Sequence, residues 1–579
     1  MLATEVQGRH APEAIQEEIR IFEERVAQLQ RGEITEEQFR PFRLKHGIYG
    51  QRQPGVQMVR VKIPSGILGA EQLRTLAAIA ETYATGRGHV TTRENCQFHF
   101  VQLSHVPAIM RQLAEVGLTT REACGNTVRN VTSCALAGVC GNEVFDVTPY
   151  ALETTRFFLR HPEFHDLPRK FKIAFSGCPD DGNCAVAGIH DIGLIAQTRG
   201  SNGTGRRGFK VLVGGGLGSL PTESATLTDF LPEEELIPTM EAILRVFNEH
   251  GNRKNKYKAR MKFVLRDKGI EEFRRLVAEK RATVTTPPRL PERTNPLSAP
   301  LVALAPPSVQ GNGHAAEFHR WAEHNLQPQR QPGYVIVWVK LLAGNISVAQ
   351  FRGLANLLDK YKLPALRIAI SQDLVIPWVP AYRAPEIFRD LQALGLAAPG
   401  ARTIADVTGC PGSTTCNLGI TRSLTLAEVL ADEFAGETDP EIKKIRIKIS
   451  GCPNSCGQHH IADIGLYGNA RKVGEQQAPY YQVMLGGRVS ADGVRFGRQI
   501  LPIPAKRVPQ ALRAVIELYR QERAPGEAFG DWALRATKDA LADALRPFAD
   551  TTQEAADLFV DWGDEQRYSL KLGRGECAG

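Results

Sequence analysis

The sequence predicts an internally duplicated α+β protein, and three observations carry that reading. PGVQMVRVKIPSG, beginning at Pro54, returns as PGYVIVWVKLLAG at Pro332, 278 residues later. RNVTSCALAGVC and FKIAFSGCP return as ADVTGCPGSTTC and IRIKISGCP, and both copies run on into Asp-Ile-Gly-Leu, at Asp191 and Asp463. A proline-rich stretch separates the two copies. An offset that drifts so little over such a length reports one unit used twice. A chain of 579 residues is also too long for a single core.

Each copy opens with a strand, because apolar residues alternate after Pro54 and Pro332. Helix-patterned stretches follow, AEQLRTLAAIAETY from Ala70 and VAQFRGLANLLDKY from Val348. A further strand comes next, HVTTRENCQFHFV in one copy and ALRIAISQDLVIPWV in the other. A second helix closes each unit, VPAIMRQLAEVGL or APEIFRDLQALGL. Two such half-repeats, 54–122 and 332–400, are expected to pair their sheets into one domain. The later segments, 123–284 and 401–523, are expected to form one α/β domain per half, with a cofactor at their junction. Residues 1–53 read as a charged helical arm outside the repeat, and 524–579 as a helical extension ending in GRGECAG. The linker, 285–331, holds Pro287, Pro288, Pro291, Pro296, Pro300, Pro306 and Pro307, which resist helix and central strand alike.

Charged residues make up 23% and apolar residues 42%, ordinary for a globular protein. No run of 18 apolar residues indicates a membrane helix. Glu5, Glu13, Glu17 and Glu18 stand where a targeting signal would be basic and then apolar, so a cytoplasmic protein is expected. The net charge of +8 is not gathered into a block dense enough for a nucleic-acid arm. It suits a mixed surface, a bound polyanion or an acidic protein partner.

Of 11 cysteines, eight fall into four close pairs, a pattern that favours metal binding over structural disulfides. Cys410 and Cys416 are spaced C-x5-C, and Cys452 and Cys456 are spaced C-x3-C. Four thiolates suffice for one 4Fe-4S cluster. Gly409, Pro411, Gly412, Gly451, Pro453 and Gly457 fit loops that bring backbone N–H groups close to sulfur. A four-cysteine zinc site is the rival, but it prefers C-x2-C to C-x4-C pairs. The spacing therefore leans to iron–sulfur and leaves zinc open.

C-x5-C followed by G-C-P-N-x-C resembles the siroheme-dependent sulfite and nitrite reductases of the ferredoxin type, over roughly residues 50 to 520. The resemblance implies their duplicated fold, with two ferredoxin-like half-repeats. It implies that Cys410, Cys416, Cys452 and Cys456 hold a 4Fe-4S cluster and that Cys456 also ligates the siroheme iron. An anionic substrate needs fixed positive charge from a dry pocket. Taken singly, Arg93 in TTRENCQFHF, Arg129 in GNTVRNV, and Lys170 and Lys172 in LPRKFK read as surface charges. Together they resemble the segments with which the family surrounds the oxyanion over the open face of siroheme. The carboxylates of siroheme call for further cations, of which Arg169 is the best candidate, and Asn454 is a further contact. VLVGGGLG fails the dinucleotide fingerprint at Ser219 and resembles the family's glycine-rich wall. Without a flavin or nicotinamide site, electrons are expected from a separate acidic donor such as ferredoxin.

The chain departs from better-known members in the first half. Cys134 and Cys140, then Cys178 and Cys184, are each spaced C-x5-C, and the first three fall opposite Cys410, Cys416 and Cys452. Cys184 falls opposite Cys456 once two residues are inserted. A second 4Fe-4S cluster is the hypothesis; four reduced thiols or a vestigial site is the alternative. A second siroheme is not expected, because the counterpart of Arg93 falls in ISQDL, which offers no cation. Cys96 and Cys124 read as buried thiols. Cys577 is expected either disordered or folded back towards the site, and His459 and His460 are expected in packing or cofactor hydrogen bonding. The expected activity is six-electron reduction of sulfite to sulfide, since both lysines of LPRKFK suit the more highly charged anion. Nitrite reduction to ammonia is the alternative, and a non-catalytic iron–sulfur electron carrier or a zinc-stabilised scaffold are alternatives of other classes.

Overall fold

The computed structural model describes residues 12–179, 184–200, 205–292, 315–551, 556–573 and 575–576. The first half supplies β1 (Ile48–Gly50), β2 (Val56–Val61), β3 (Ile67–Leu68), β4 (Arg87–Val90) and β5 (Cys96–Gln102). It continues with β6 (Thr132–Ser133), β7 (Ile173–Ser176), β8 (Ile192–Arg199), β9 (Arg206–Val213) and β10 (Ala225–Pro232). The second half repeats the series. Its first group is β11 (Leu326–Pro328), β12 (Tyr334–Val339), β13 (Asn345–Ser347), β14 (Leu366–Ile368) and β15 (Leu374–Pro380). Its second is β16 (Thr408–Gly409), β17 (Ile447–Ser450), β18 (Ile464–Val473), β19 (Gln476–Leu485), β20 (Arg488–Ser490), β21 (Gly493–Arg495) and β22 (Arg498–Pro504).

The first sheet runs β1-β2-β5-β4-β13 and its partner β11-β12-β15-β14-β3, so each half lends an edge strand to the sheet of the other. Asn345 to Ser347 pair with His89 to Arg87, and Leu366 and Arg367 pair with Leu68 and Ile67. Helices Ala70–Tyr83 and Val348–Tyr361 bury Leu73, Leu76, Phe351 and Leu354 in one common core. On their exposed side Arg74 pairs with Asp359 and Arg352 with Glu81, the same contact seen from each half. The remaining large sheets, β10-β9-β8-β7-β6 and β16-β17-β18-β19-β22, each carry a core of their own.

Three expectations need correction. The stretches read as one strand after the first helix are hairpins, β4–β5 and β14–β15. Their turns lack a glycine, and Glu94 (φ 54°) and Gln372 (φ 77°) take the left-handed conformation instead. Side chains hold the first turn: Thr91 Oγ1 accepts from the amides of Arg93 and Asn95, and Asn95 Oδ1 accepts from Ile63. The linker contains helix Ala315–Asn325 and β11, because its prolines stop short of AAEFHRWAEHN. Pro287, Pro288 and Pro291 lie in irregular chain; Pro296, Pro300, Pro306 and Pro307 lie outside the described residues. The N-terminal arm is partly inside the repeat, since β1 is the counterpart of β11. Past helices Phe529–Arg535 and Lys538–Ala549, the C-terminal chain returns across the molecule to Glu576, which pairs with Arg43 at 2.5 Å. Among the described residues no helix is long and apolar enough to cross a membrane.

Candidate active site

Parallel strands β16 and β17 pair Thr408 with Lys448 and Gly409 with Ile449, and their ends deliver Cys410 and Cys452 to the same edge. The loops beyond are packed too closely for side chains. A Cβ on Gly412 (φ +56°) would lie 2.3 Å from the Thr421 carbonyl oxygen, and one on Gly451 2.4 Å from the Gly412 Cα. Backbone amides point at sulfur: Gly451 donates to Cys410 Sγ at 3.2 Å, Leu418 and Gly419 to Cys416, and Asn454 to Cys452. Burial pushes the Cys410 thiol up to about 11 and raises those of Cys416 and Cys452, and the Cys456 sulfur adds to each shift. Four sulfurs in mutual electrostatic reach can ionise together only around positive charge. Among the described residues no three His, Cys, Asp or Glu side chains are spaced for a single metal ion. Four thiols with backbone amides at three of their sulfurs fit a 4Fe-4S cluster.

The tip of the β4–β5 hairpin reaches across to this loop, where Thr92 Oγ1 donates to the Cys456 carbonyl at 2.9 Å. Arg93 follows. Its guanidinium donates to Thr132 Oγ1 at 3.3 Å and to the Asn130 carbonyl, and lies against His190 Nε2. Burial lowers the Arg93 pKa to about 10, and Arg129 and Arg260 push the same way while Glu94 and Asp191 oppose. Burial holds Lys172 well below the usual lysine range, helped by Arg93, Arg260 and Lys170 and opposed by Cys456. The structure thus brings Arg93, Arg129, Lys170 and Lys172 into one field that extends to Cys456. Arg129 is fixed by the carbonyls of Gly125 and Ala123, at 3.0 and 3.1 Å, and by Tyr49 Oη at 3.2 Å. Arg169 and Lys170 are half-buried in the chain entering β7, and Asn454 is exposed between Cys452 and Cys456.

Two carboxyl groups, Glu94 and Asp191, act on Arg93 in this field. Asp191 is gripped by Arg260 at 2.8 and 3.2 Å and accepts the Lys172 amide at 2.9 Å. Burial raises the Glu94 carboxyl to about 8, and Arg93, the Ser133 amide and Arg367 oppose that rise. The cations Arg93, Lys170 and Lys172, gathered within electrostatic reach of one another and, through Lys172, of Cys456, fit a polyanionic siroheme and an oxyanion. Arg260, His190 and Tyr49 are site residues that the sequence reading missed. They approach from distant segments with no motif of their own, although Asp191, the partner of Arg260, stood in the repeated Asp-Ile-Gly-Leu.

The glycine-rich segment lines the same region. A Cβ on Gly215 would lie 2.7 Å from the carbonyl oxygens of both Gly188 and His190. Lys262 donates to the Leu217 carbonyl at 3.2 Å, and His460 Nε2 meets the Gly218 carbonyl at 2.9 Å, tying the two halves together. His459 is buried with neither ring nitrogen hydrogen-bonded. In the duplicated pocket Ser371 replaces Arg93, but Lys443, Lys444 and Arg446 stand opposite Arg169, Lys170 and Lys172. Those cations were not recognised from the sequence. There Arg446 faces Asp373, Asp406 and Asp463.

The first-half cysteines also converge. Cys134, Cys140 and Cys178 are buried and Cys184 half-buried against Tyr334, Trp338 and Trp378, with Cys140 Sγ 3.8 Å from Cys178 Sγ. Cys96 and Cys124 are buried, and burial pushes the Cys96 thiol up to about 12. Cys577 lies outside the described residues.

The chain matches the nitrite and sulphite reductase 4Fe-4S domain over residues 124–285 and 400–545. It matches the nitrite/sulfite reductase ferredoxin-like half domain over 49–116 and 327–394. It is 30% identical to sulfite reductase (ferredoxin) 2 of Mycolicibacterium paratuberculosis, covering 86% of this chain and 88% of the relative. It is also 30% identical to the assimilatory ferredoxin-dependent nitrite reductase of Haloferax mediterranei, covering 86% of each. The solved structure of the Mycobacterium tuberculosis NirA protein aligns with a TM-score of 0.76 at 28% identity, over 93% of this chain and 97% of that one.

Proposed function

The chain belongs to the nitrite and sulfite reductase family, and we infer from its pocket that it reduces sulfite to sulfide with six electrons. It is an oxidoreductase of the duplicated α+β fold, acting on sulfite or nitrite, with siroheme and a 4Fe-4S cluster as cofactors. Cys410, Cys416, Cys452 and Cys456 would hold the cluster, with Cys456 also facing the siroheme iron. Arg169 and Asn454 would contact the siroheme periphery. When bound, siroheme coupled to the cluster supplies electrons singly to the oxyanion.

One observation carries the choice of sulfite: the Lys172 ammonium stands among cations, with Lys170, Arg93 and Arg260 around it. A pocket with several cations close together favours the anion that can carry two charges over the one that carries one. Arg93 and Arg129, fixed by backbone carbonyls, orient the oxyanion without rearranging during turnover. Lys172 Nζ, charged once the anion is bound, would donate a hydrogen bond to a substrate oxygen and could pass it one of the protons that the reduction consumes. Ferredoxin or a similar acidic protein supplies the electrons, drawn by the basic surface, in a cytoplasmic setting.

The test is reduction of sulfite and nitrite side by side with a chemically reduced donor. A higher kcat/KM for sulfite is expected. Lys172→Asn should cut sulfite kcat/KM by about tenfold more than nitrite kcat/KM, the size of one lost charge-assisted hydrogen bond. Preference for nitrite in the native chain would overturn the reading.

A further inference from the structure

We propose that Cys134, Cys140, Cys178 and Cys184 bind a second 4Fe-4S cluster in the first half of the chain. The proposal rests on the reading of the second-half cysteines as cluster ligands, because it reads one site through its duplicate.

The duplicate is close in its topology. Cys134 follows β6 as Cys410 follows β16, and Cys178 follows β7 as Cys452 follows β17. Cys184 stands three residues before the helical turn Ala187–Ile189, as Cys456 does before His459–Ile461. The two residues inserted in the first half therefore fall between Cys178 and Cys184.

The clamp on each cysteine loop is also duplicated, and it lies in a part of the sequence not linked to the cysteines. Gln51-Arg52-Gln53-Pro54-Gly55 recurs as Gln329-Arg330-Gln331-Pro332-Gly333. The Arg52 amide donates to the Thr415 carbonyl and Gln53 Nε2 to the Thr414 carbonyl, both at 2.9 Å. In the first-half site the Arg330 amide donates to Val139 at 2.9 Å and Gln331 Nε2 to Gly138 at 3.0 Å, the equivalent loop positions. Gln51 Oε1 accepts from the Phe100 amide and Gln329 Oε1 from the Trp378 amide, and Phe100 and Trp378 share a left-handed φ of 62° and 63°. Both loops are thus held by the same contacts, strained residue included.

The surroundings suit an anionic cluster. Tyr334, Trp338 and Trp378 wall the sulfurs from solvent. Three guanidinium groups stand in electrostatic reach of different sulfurs: Arg330 of Cys140, Arg367 of Cys134 and Arg402 of Cys184. Arg367 is fully buried and donates to the carbonyls of Cys134 and Ala137, at 3.1 and 3.2 Å, across the half-to-half boundary. Four thiolates on a 4Fe-4S core leave net negative charge; these guanidinium groups offset part of it, since Arg330 also pairs with Glu143 at 3.3 Å, Arg367 also faces Asp146 and Arg402 also faces Asp406.

The experiment uses the full chain purified without oxygen, with iron, acid-labile sulfide, zinc and siroheme each measured per chain. Two clusters give about eight sulfides, whatever the siroheme loading, and one cluster gives about four. Cys134→Ser with Cys178→Ser should lower the count to about four and leave siroheme absorbance in place. About four sulfides in the native chain overturns the proposal, with or without a zinc ion, and so does a double variant that keeps about eight. Absence of siroheme would instead strike the proposed activity and leave the sulfide count free to decide this site.

Discussion

The proposed oxyanion pocket and its copy in the second half share a frame and differ in charge. In the first half Asn95 Oδ1 accepts the Ile63 amide, and in the second Asp373 Oδ1 accepts the Leu341 amide, both at 3.3 Å. Asp191 and Asp463 accept the amides of Lys172 and Arg446, both at 2.9 Å. On that common frame the first copy carries Arg93, Asn95 and Asn130, and the second carries Ser371, Asp373 and Asp406. The second pocket therefore sets carboxylates around Arg446, while the first sets Arg93, Arg260 and Lys170 around Lys172. These two backbone contacts are kept in both copies, while four side chains differ, Arg129 giving way to Ala405 as well.

The contrast is sharpest at Arg129. Arg129→Ala should retain siroheme and iron, measured by absorbance and metal analysis, and lose about 10²–10³ in kcat, the usual size for one preorganised donor to developing negative charge. Full turnover in a loaded variant would remove Arg129 from the pocket. In the silent twin a change should strike stability. Asp406→Asn weakens the compensation of buried Arg446 and should lower unfolding free energy by about 1–3 kcal/mol in denaturant titration, with kcat unchanged. An unchanged midpoint would show that the carboxylates do not serve Arg446.

The pH dependence should separate the pockets further. Burial and neighbouring cations hold Lys172 well below the usual lysine range while no anion is present. An anion favours the charged ammonium, so binding takes up a proton above the pKa of the empty pocket. Sulfite KM should then rise with pH at values below the usual lysine range, by at most about tenfold per unit. Lys172→Arg, which stays charged, should flatten that rise. The smallest effect is expected at the C-terminal tail. Glu576→Gln weakens the pair with Arg43 and should cost about 1 kcal/mol, read as earlier proteolysis of the tail.

The repeat, the paired helices and the close cysteine pairs were legible because each is a local pattern: apolar periodicity in AEQLRTLAAIAETY, or two cysteines at fixed spacing. The hairpins were not, since Glu94 and Gln372 make their turns without a glycine or proline to mark them. Gln51-Arg52-Gln53 escaped notice as part of the repeat because its work lies in contacts with a loop more than 360 residues away. Arg260 was hidden for the same reason: nothing near it in sequence marks the carboxylate it grips. The pocket arginines were legible only as a resemblance, for a lone Arg93 or Arg129 has no local signature.

The exchanged edge strands set a condition on ancestry and on dissection. β13 completes the sheet of the first half and β3 that of the second. A protein made of one half would expose an unpaired sheet edge and lack its own fifth strand, an invitation to aggregation. Its remedy would be a second copy of itself, each lending the other the same strand across a two-fold axis. The single chain is in that sense a tethered homodimer, freed by its tether to let one protomer's pocket diverge.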